Sequence, residues 1–435
     1  MKRSRDGGLD RPHAPEPTGH AGVDSRSATT ADVPPADVPP ADVPPDLLMP
    51  RPPERPLEQP PLLACLRTSR PVAKVRCPRG IDAWLVTRYD DVRRVLADAT
   101  GFSSVDAPFG HLTDSWDLGT PPEPGSLIRS DGPTHGRLRR RLAKEFTASR
   151  MDAYRPYLEG IVDGQIDMLR AADIPVDLYD AFALPVAALA ICELLGMPTS
   201  DRAAFYLLAA QINDLGATPQ QRRDADAAIH DYLADRVRAE LRRPGDNIIG
   251  RLVRDNANHA DPLTAEELTT LASTLLVAGQ ETTANMMSLT IVWLLQHEPA
   301  RTVVDVADDT IEEALRDLAI VQYGVVRRAT HDTKLGEHEL EAGDYVVLSI
   351  PAANHDPALV VPRHGRPRHV AFGHGPHVCL GQHLARAELQ IALPRLFRRI
   401  PTLRLAAAPA ALTYQTTMTV YGVNPLPVCW EAVLP

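Results

Sequence analysis

Between Ala371 and Arg386 the chain reads AFGHGPHVCLGQHLAR, with one cysteine among three histidines and three glycines. Thiolate and imidazole are common zinc ligands, and His374, His377, Cys379 and His383 would make a nitrogen-and-sulfur set of four. A second chemistry also suits the thiol. Apolar residues at Ala385, Leu389, Ala392, Leu393 and Leu396 have the spacing of a buried helix that begins just after Cys379. A helix N-terminus lowers a thiol's pKa, so the sulfur is expected to be a strong anionic ligand. Gly373 and Gly375 permit left-handed backbone, and Gly381 permits a flat group to approach closely. Such a thiolate would hold one side of a metal and leave the opposite side open.

Three other stretches carry groups that could act with it. In AGQETT, Ala278 and Gly279 lack bulk, and Glu281 and Thr282 follow them in the middle of a long apolar pattern. An acid at mid-helix is costly unless paired or useful, so this reads as a dent in a helix wall edged by a carboxyl and a hydroxyl. The bland alternative is a helix crossing with satisfied polar groups. In HGRLRRRL, His135 and Arg139 share a helix face, and Arg327 in VVRRAT could aim a further cation at the same anion. Taken alone, these would be a solvated basic face. In EEALR, Glu313 and Arg316 are three apart on one face, which alone is most often a surface ion pair.

A closed structural zinc site would use the histidines but would leave the polar dent and the cations without a purpose. A haem accounts for all of them. Its iron takes Cys379, its propionates need cations, and its open face needs a dent with a proton-handling pair.

These residues must be positioned by a mainly helical body. Helical patterns run over His135–Phe146, Asp152–Arg170, Ala181–Leu195, Arg222–Leu241 and Leu263–His297. In the longest, Thr264 and Glu267 predict a capping box and Pro299 a stop. Its polar centre argues for a core helix rather than a membrane span. VAKVRC and AWLVTRY alternate like a hairpin around Pro78-Arg79-Gly80, and short strands are expected near Val325, Val346 and Thr402 and from Leu412 to Trp430. Residues 1–49 are proline-rich, repeat ADVPP three times from Ala31 to Pro45, and are expected to form a disordered tail before a single domain over residues 50–435. Pro394 is expected to kink the last helix or shift its start.

The 435 residues carry a net charge of −10, which argues against nucleic acid. Five cysteines without paired spacing suggest a reducing cytoplasm, and the first residues lack a secretion signal. Against the acidic whole, seven arginines and one acid lie between Arg363 and Arg399, a possible docking face for an acidic partner.

Phe372 to Arg386, read as F-G-x-G-x-H-x-C-x-G-x-x-L-A-R, resembles the haem-binding signature of the cytochrome P-450 family. AGQETT resembles the family's oxygen-activation motif, Glu313 and Arg316 its E-x-x-R pair, and His135 with Arg139 its propionate-binding helix. The resemblance spans roughly Pro50 to Trp430 and is nearest to soluble bacterial, actinomycete-type members. It implies a single-domain fold with small sheets, the haem b lying between the long central helix and the cysteine-loop helix. By position it makes Cys379 the proximal thiolate. It places His135, Arg139, Arg327 and His377 on the propionates, and Ala278, Gly279, Phe372, Gly373 and Gly381 around the cofactor. Thr282 and Glu281 become the oxygen-facing hydroxyl and the proton donor, and Glu313 and Arg316 support the haem loop.

The implied activity is insertion of one atom of O2 into a hydrophobic small molecule, a specialised metabolite or a xenobiotic. Electrons would come from NAD(P)H through a separate ferredoxin reductase and ferredoxin, serving a cytoplasmic, membrane-free monomer. Epoxidation, desaturation and aryl coupling use the same haem chemistry. A haem-free helper of this fold would be expected to lose Cys379. The segment from Asn354-His355-Asp356-Pro357 to Phe372 is shorter than in relatives, so Arg363 or Arg366 would have to complete the E-x-x-R network. Substrate contacts are expected from Ser104–Ile128, Phe205–Gly216, Leu276–Gly279, Tyr323–Val326 and Thr416–Val420, with Phe109, Trp116 and Met418 as bulky members.

Overall fold

The hairpin around Gly80 forms as its turn residues require. Strands β1 (Val72–Arg76) and β2 (Asp82–Val86) pair antiparallel with Val75 opposite Ala83. The computed structural model of the chain describes residues 43–105, 107, 121–297, 306–323, 325–359 and 368–435. Pro299, Phe109, Trp116, Arg363 and Arg366, each given a role by the sequence, lie outside these residues. Beyond the hairpin, the strands are β3 (Phe102–Ser103), β4 (Val176–Asp177), β5 (Val326–Ala329), β6 (Thr333–Leu335), β7 (His338–Leu340), β8 (Tyr345–Leu348), β9 (Arg404–Leu405) and β10 (Pro427–Cys429). They make a five-stranded sheet in the order β1-β2-β8-β5-β3, a three-stranded one in the order β4-β10-β9, and the ribbon β6-β7.

Helices dominate the remainder: α1 (Pro61–Ser69), α2 (Tyr89–Ala97), α3 (Gly132–Ala143), α4 (Ala148–Leu169), α5 (Leu184–Leu195), α6 (Arg202–Asn213), α7 (Pro219–Arg242), α8 (Ile248–Asn256), α9 (Ala265–His297), α10 (Asp308–Leu318), α11 (Ile350–Asn354) and α12 (Gln382–Arg399). The axis of the core is α9, 33 residues and so about 50 Å long. Its predicted capping box forms: the Thr264 amide donates to Glu267 Oε2 at 2.9 Å, and the Glu267 amide to Thr264 Oγ1 at 3.1 Å. Most of its circumference is buried because α5, α6, α7, α10 and α12 pack around it. Pro394 lies inside α12 without ending it, and the helix starts at Gln382, directly after Gly381.

The folded body reaches further toward the N-terminus than expected. Leu47 and Met49 are 1% and 5% exposed and pack with Leu66, Val75 and Tyr323. The segment is pinned to β1, since the Leu47 amide donates to Arg76 O and the Arg76 amide to Pro45 O, both at 2.8 Å. Residues 45–49, assigned to the tail on sequence, are therefore part of the folded body. Three apolar residues in a proline-rich run were too few to signal a strand-like segment.

Candidate active site

The cysteine loop is shaped before it reaches the sulfur. At Gly375 φ is +71°, and a Cβ there would come within 2.5 Å of the Leu96 carbonyl oxygen, so α2 and the loop can approach this closely only over a glycine. The turn closes with the Cys379 amide donating to Phe372 O at 2.8 Å. Arg386, one turn into α12, lies over the Phe372 ring at 4.4 Å and binds Glu312 of α10 through Nε at 2.5 Å and Nη2 at 3.0 Å. His369 approaches the same carboxylate at 3.0 Å. Burial alone would raise the Glu312 pKa, but the bonds from His369 and Arg386 outweigh it and hold the carboxyl down at about 2.

Glu312, not Glu313, is thus the buried carboxylate that ties α10 to the loop. Glu313 lies on the solvent side, and Arg316 bonds to the Asn354 carbonyl and to Asp317. Both glutamates occur in EEALR, and only the rotational phase of α10 distinguishes them.

Cys379 lines a cavity of about 380 Å³ and is exposed on its wall. The expectation of a lowered thiol pKa is corrected. Burial raises it, and the amides of Gly381 and Gln382 with Arg139 and Arg386 offset this only in part. A metal is what would draw off the proton. The zinc set does not assemble: His383 is exposed and His374 turns to Arg93 at 3.4 Å. No group of three or more such ligands converges among the described residues.

The rim of the cavity carries the expected cations. His135 and Arg139 of α3, Arg327 of β5 and His377 all line it. His135 is 4% exposed and its Nε2 has no partner. Burial, then His377 and Arg139, push its pKa down to about 4. Arg139 donates to Val378 O at 2.6 Å and Arg327 to Val326 O at 2.8 Å. Neither guanidinium has a carboxylate at ion-pair distance among the described residues. His377 lies against His135 with ring centroids 4.0 Å apart and the ring planes tilted by 32°.

Ala278, Gly279, Thr282 and Thr283 of α9 line the same cavity as the sulfur. Thr282 donates its hydroxyl to Ala278 O at 2.6 Å, leaving its lone pairs toward the cavity. Gly279 serves the helix crossing as well, because a Cβ there would stand 3.2 Å from Ile191 of α5. Glu281 faces away from the cavity. Its Oε2 accepts from Asn213 of α6 at 2.6 Å, Oε1 is unpartnered, and burial lifts the carboxyl to about 7 despite the Asn213 bond.

Of the expected substrate segments, Leu127, Ile128, Ala278, Gly279 and Val325 line the cavity, and Leu275, Ile320 and Val321, just outside those segments, line it as well. Phe205–Gly216 and Thr416–Val420 contribute no described lining residue and instead clasp each other, with Asp214 bridged to Met418 and the Leu215 amide donating to Thr417 O at 2.9 Å.

The chemistry of this donor set fits the implied haem. Two guanidiniums without an acid at ion-pair distance among the described residues match two propionates, the Cys379 thiol lines the same cavity, and a Cβ on Gly381 would meet nothing within 4 Å, so the space beside it is clear for a flat ring. Asp131, Glu312, Arg386 and Asn213 were missed by the sequence reading, and each acts through a partner distant in sequence.

A family profile described as Cytochrome P450 matches residues 363–402. The chain is 38% identical over 399 residues to Cytochrome P450-SU2 of Streptomyces griseolus, covering 87% of this chain and 96% of that protein. It is 36% identical over 364 residues to the mycinamicin VIII C21 methyl hydroxylase of Micromonospora griseorubida, covering 81% and 91%. Among solved structures, that of CYP105P1 in complex with filipin I superposes with a TM-score of 0.83 at 35% identity, covering 90% of this chain and all of that one.

Proposed function

Since the chain belongs to the cytochrome P450 family of haem b monooxygenases, we propose that it hydroxylates a hydrophobic specialised metabolite or xenobiotic, fed with electrons from NAD(P)H by a ferredoxin and its reductase. The observation that carries this reading is the Cys379 sulfur lining an apolar cavity that Thr282 also lines and whose rim holds Arg139 and Arg327. Bound through Cys379, the haem supplies reductive activation of O2, and the thiolate favours O–O cleavage.

The protein's own residues do the rest. Arg139 and Arg327, with His135, would hold the propionates and so fix the plane of the ring, and His377 lines the same space. The Thr282 hydroxyl, anchored on Ala278 O, presents a lone pair and a relayed proton at the oxygen side. Glu281 stands one residue behind it with a carboxyl poised near neutrality, suited to pass protons from the α6 side. Ile320, Val321 and Val325 exclude water from the reacting face. All five cysteines are free, in keeping with a cytoplasmic monomer.

The test is turnover under ¹⁸O2 with ferredoxin, its reductase and NADPH, on compounds first chosen by their shift of the haem spin state. A product carrying one labelled oxygen is expected. Products that form without label would overturn the monooxygenase assignment for those substrates.

A further inference from the structure

The start of α3 departs from ordinary capping. Aspartate is among the best N-cap residues because its carboxylate can take the free amides of the first turn. Asp131 holds that position, yet its side chain makes no capping bond. Its Oδ2 accepts from the Ser103 hydroxyl at 2.7 Å and the Ser104 amide at 2.9 Å. Its Oδ1 accepts from the Ser104 hydroxyl at 3.0 Å and lies 3.0 Å from His377 Nε2. An ionised carboxylate can only accept, so His377 Nε2 carries a proton toward Asp131, with the Ser104 hydroxyl also 3.1 Å from that nitrogen. The end of β3, the start of α3 and the cysteine loop therefore meet on one side chain. Asp131 is also near enough to act electrostatically on His135 and Arg327.

We propose that Asp131 is the positioning residue of the cofactor's carboxylate rim: it pairs off His377 and fixes that ring against His135, leaving the charges of Arg139 and Arg327 to the two propionates. The inference rests on reading the rim as the propionate site. The hydrogen bonding supports it, since Asp131 and His377 are each other's partners at 3.0 Å and two arginines remain for two carboxylates. A free Asp131 would compete for those arginines, and a free His377 could turn into the space the ring needs.

The experiment compares D131N, S103A, H377Q, the double variant D131N/H377Q and R327A as holoenzymes. Asparagine caps a helix as well as aspartate does, so D131N tests the charge and the pair rather than the cap. Two quantities are read: the rate of haem transfer to excess apomyoglobin, and the haem reduction potential. D131N is expected to release haem roughly tenfold faster, the scale of one charge-assisted hydrogen bond. Its potential should rise, because a negative charge near the iron is gone. S103A should stay within about twofold of wild type, because the bonds from Ser104 and His377 still hold the Asp131 carboxylate in place. D131N should add little in the H377Q background, as expected for residues acting as one unit. Equal effects of S103A and D131N with an unchanged potential would reduce Asp131 to a strut and overturn the proposal. Normal haem retention in D131N beside rapid loss in R327A would overturn it while leaving the rim reading intact. Normal retention in R327A as well would sink the rim reading itself. If D131N fails to fold, H377Q reads the same pair from its other end, and wild-type retention and potential there would overturn the proposal.

Discussion

Thr282 carries a hydroxyl with one bond to its own helix and lone pairs toward the cavity. Thr282→Ala should leave folding and haem content intact, because that hydroxyl supports no tertiary contact. Product formed per NAD(P)H should fall roughly tenfold, within the range of a lost proton-transfer group, while hydrogen peroxide rises. Thr282→Ser should restore most of the coupling, and unchanged coupling in the alanine variant would remove Thr282 from the proton path. A different carboxyl governs stability. Glu388 of α12 is 1% exposed, has an unpartnered Oε2, and is pushed up to about 8 by burial, against a smaller pull from the Thr283 hydroxyl. The folded protein keeps a proton there that the unfolded chain releases near 4.5. Stability from this group is therefore full below 4.5 and is lost as pH rises through about 8. Glu388→Gln should equal wild type near pH 4.5 and exceed it above pH 8, by at most roughly 5 kcal/mol at 1.36 kcal/mol per pKa unit. Thermal unfolding across that range measures it. Glu281 titrates in both proteins, so the difference isolates Glu388.

At the scale of elements, the basic stretch at the end of the sequence changes meaning once α12 lies on α4. Arg395 binds Glu159 at 3.1 Å and Asp163 at 2.9 Å, and Arg399 binds Asp167 at 2.7 Å. Arg386 is committed to Glu312. These three arginines fasten helices together, which takes them out of the docking face expected from the charge count between Arg363 and Arg399. Arg395→Glu would set a fourth acid beside Glu159, Asp163 and Asp167. It should cost about 1–2 kcal/mol, several exposed pairs' worth, with little change in the salt dependence of reduction by ferredoxin. Denaturant unfolding and reduction kinetics at two ionic strengths separate the outcomes. The N-terminal segment gives a second element-scale prediction. Removing residues 1–42 should leave stability unchanged, whereas starting at Pro50 strips Leu47 and Met49 from their cluster and should cost about 3–5 kcal/mol. Equal midpoints for the two truncations would show that this segment contributes nothing.

Over the whole molecule, legibility followed locality. The cysteine loop, the α9 capping box and the Gly80 hairpin were readable because glycine, proline, Thr264 and Glu267 act on neighbours within a few residues. The pairings that decide function at longer range were not. Arg395 and Asp163 are 232 positions apart, and His377 and Asp131 are 246 apart. Asp131 was hidden further, because an aspartate before a helix is already explained as a cap. Glu312 was hidden by Glu313 beside it, since periodicity in so short a helix does not settle which of two adjacent glutamates turns inward. Strands of two or three residues, such as β3 and β4, carry too little alternation to announce themselves.

The way the first described residues are held has a consequence for how the protein is made. Arg51 lies over the Tyr421 ring at 4.0 Å, and the Tyr421 hydroxyl donates to Pro56 O at 2.8 Å across 365 positions of chain. During synthesis the early segment therefore waits for almost the whole polypeptide to leave the ribosome before its partner exists. Leu47, Met49 and α1 can settle on the β1–β2 hairpin early, but the layer around Arg51 cannot close. Chains stalled before Tyr421 should remain open to protease near Arg51, and chains that have passed it should become resistant there. Nascent chains protected at Arg51 before Tyr421 emerges would show that other contacts suffice. The interval between the two events is a window for chaperones, set by chain connectivity rather than by the strength of any one contact.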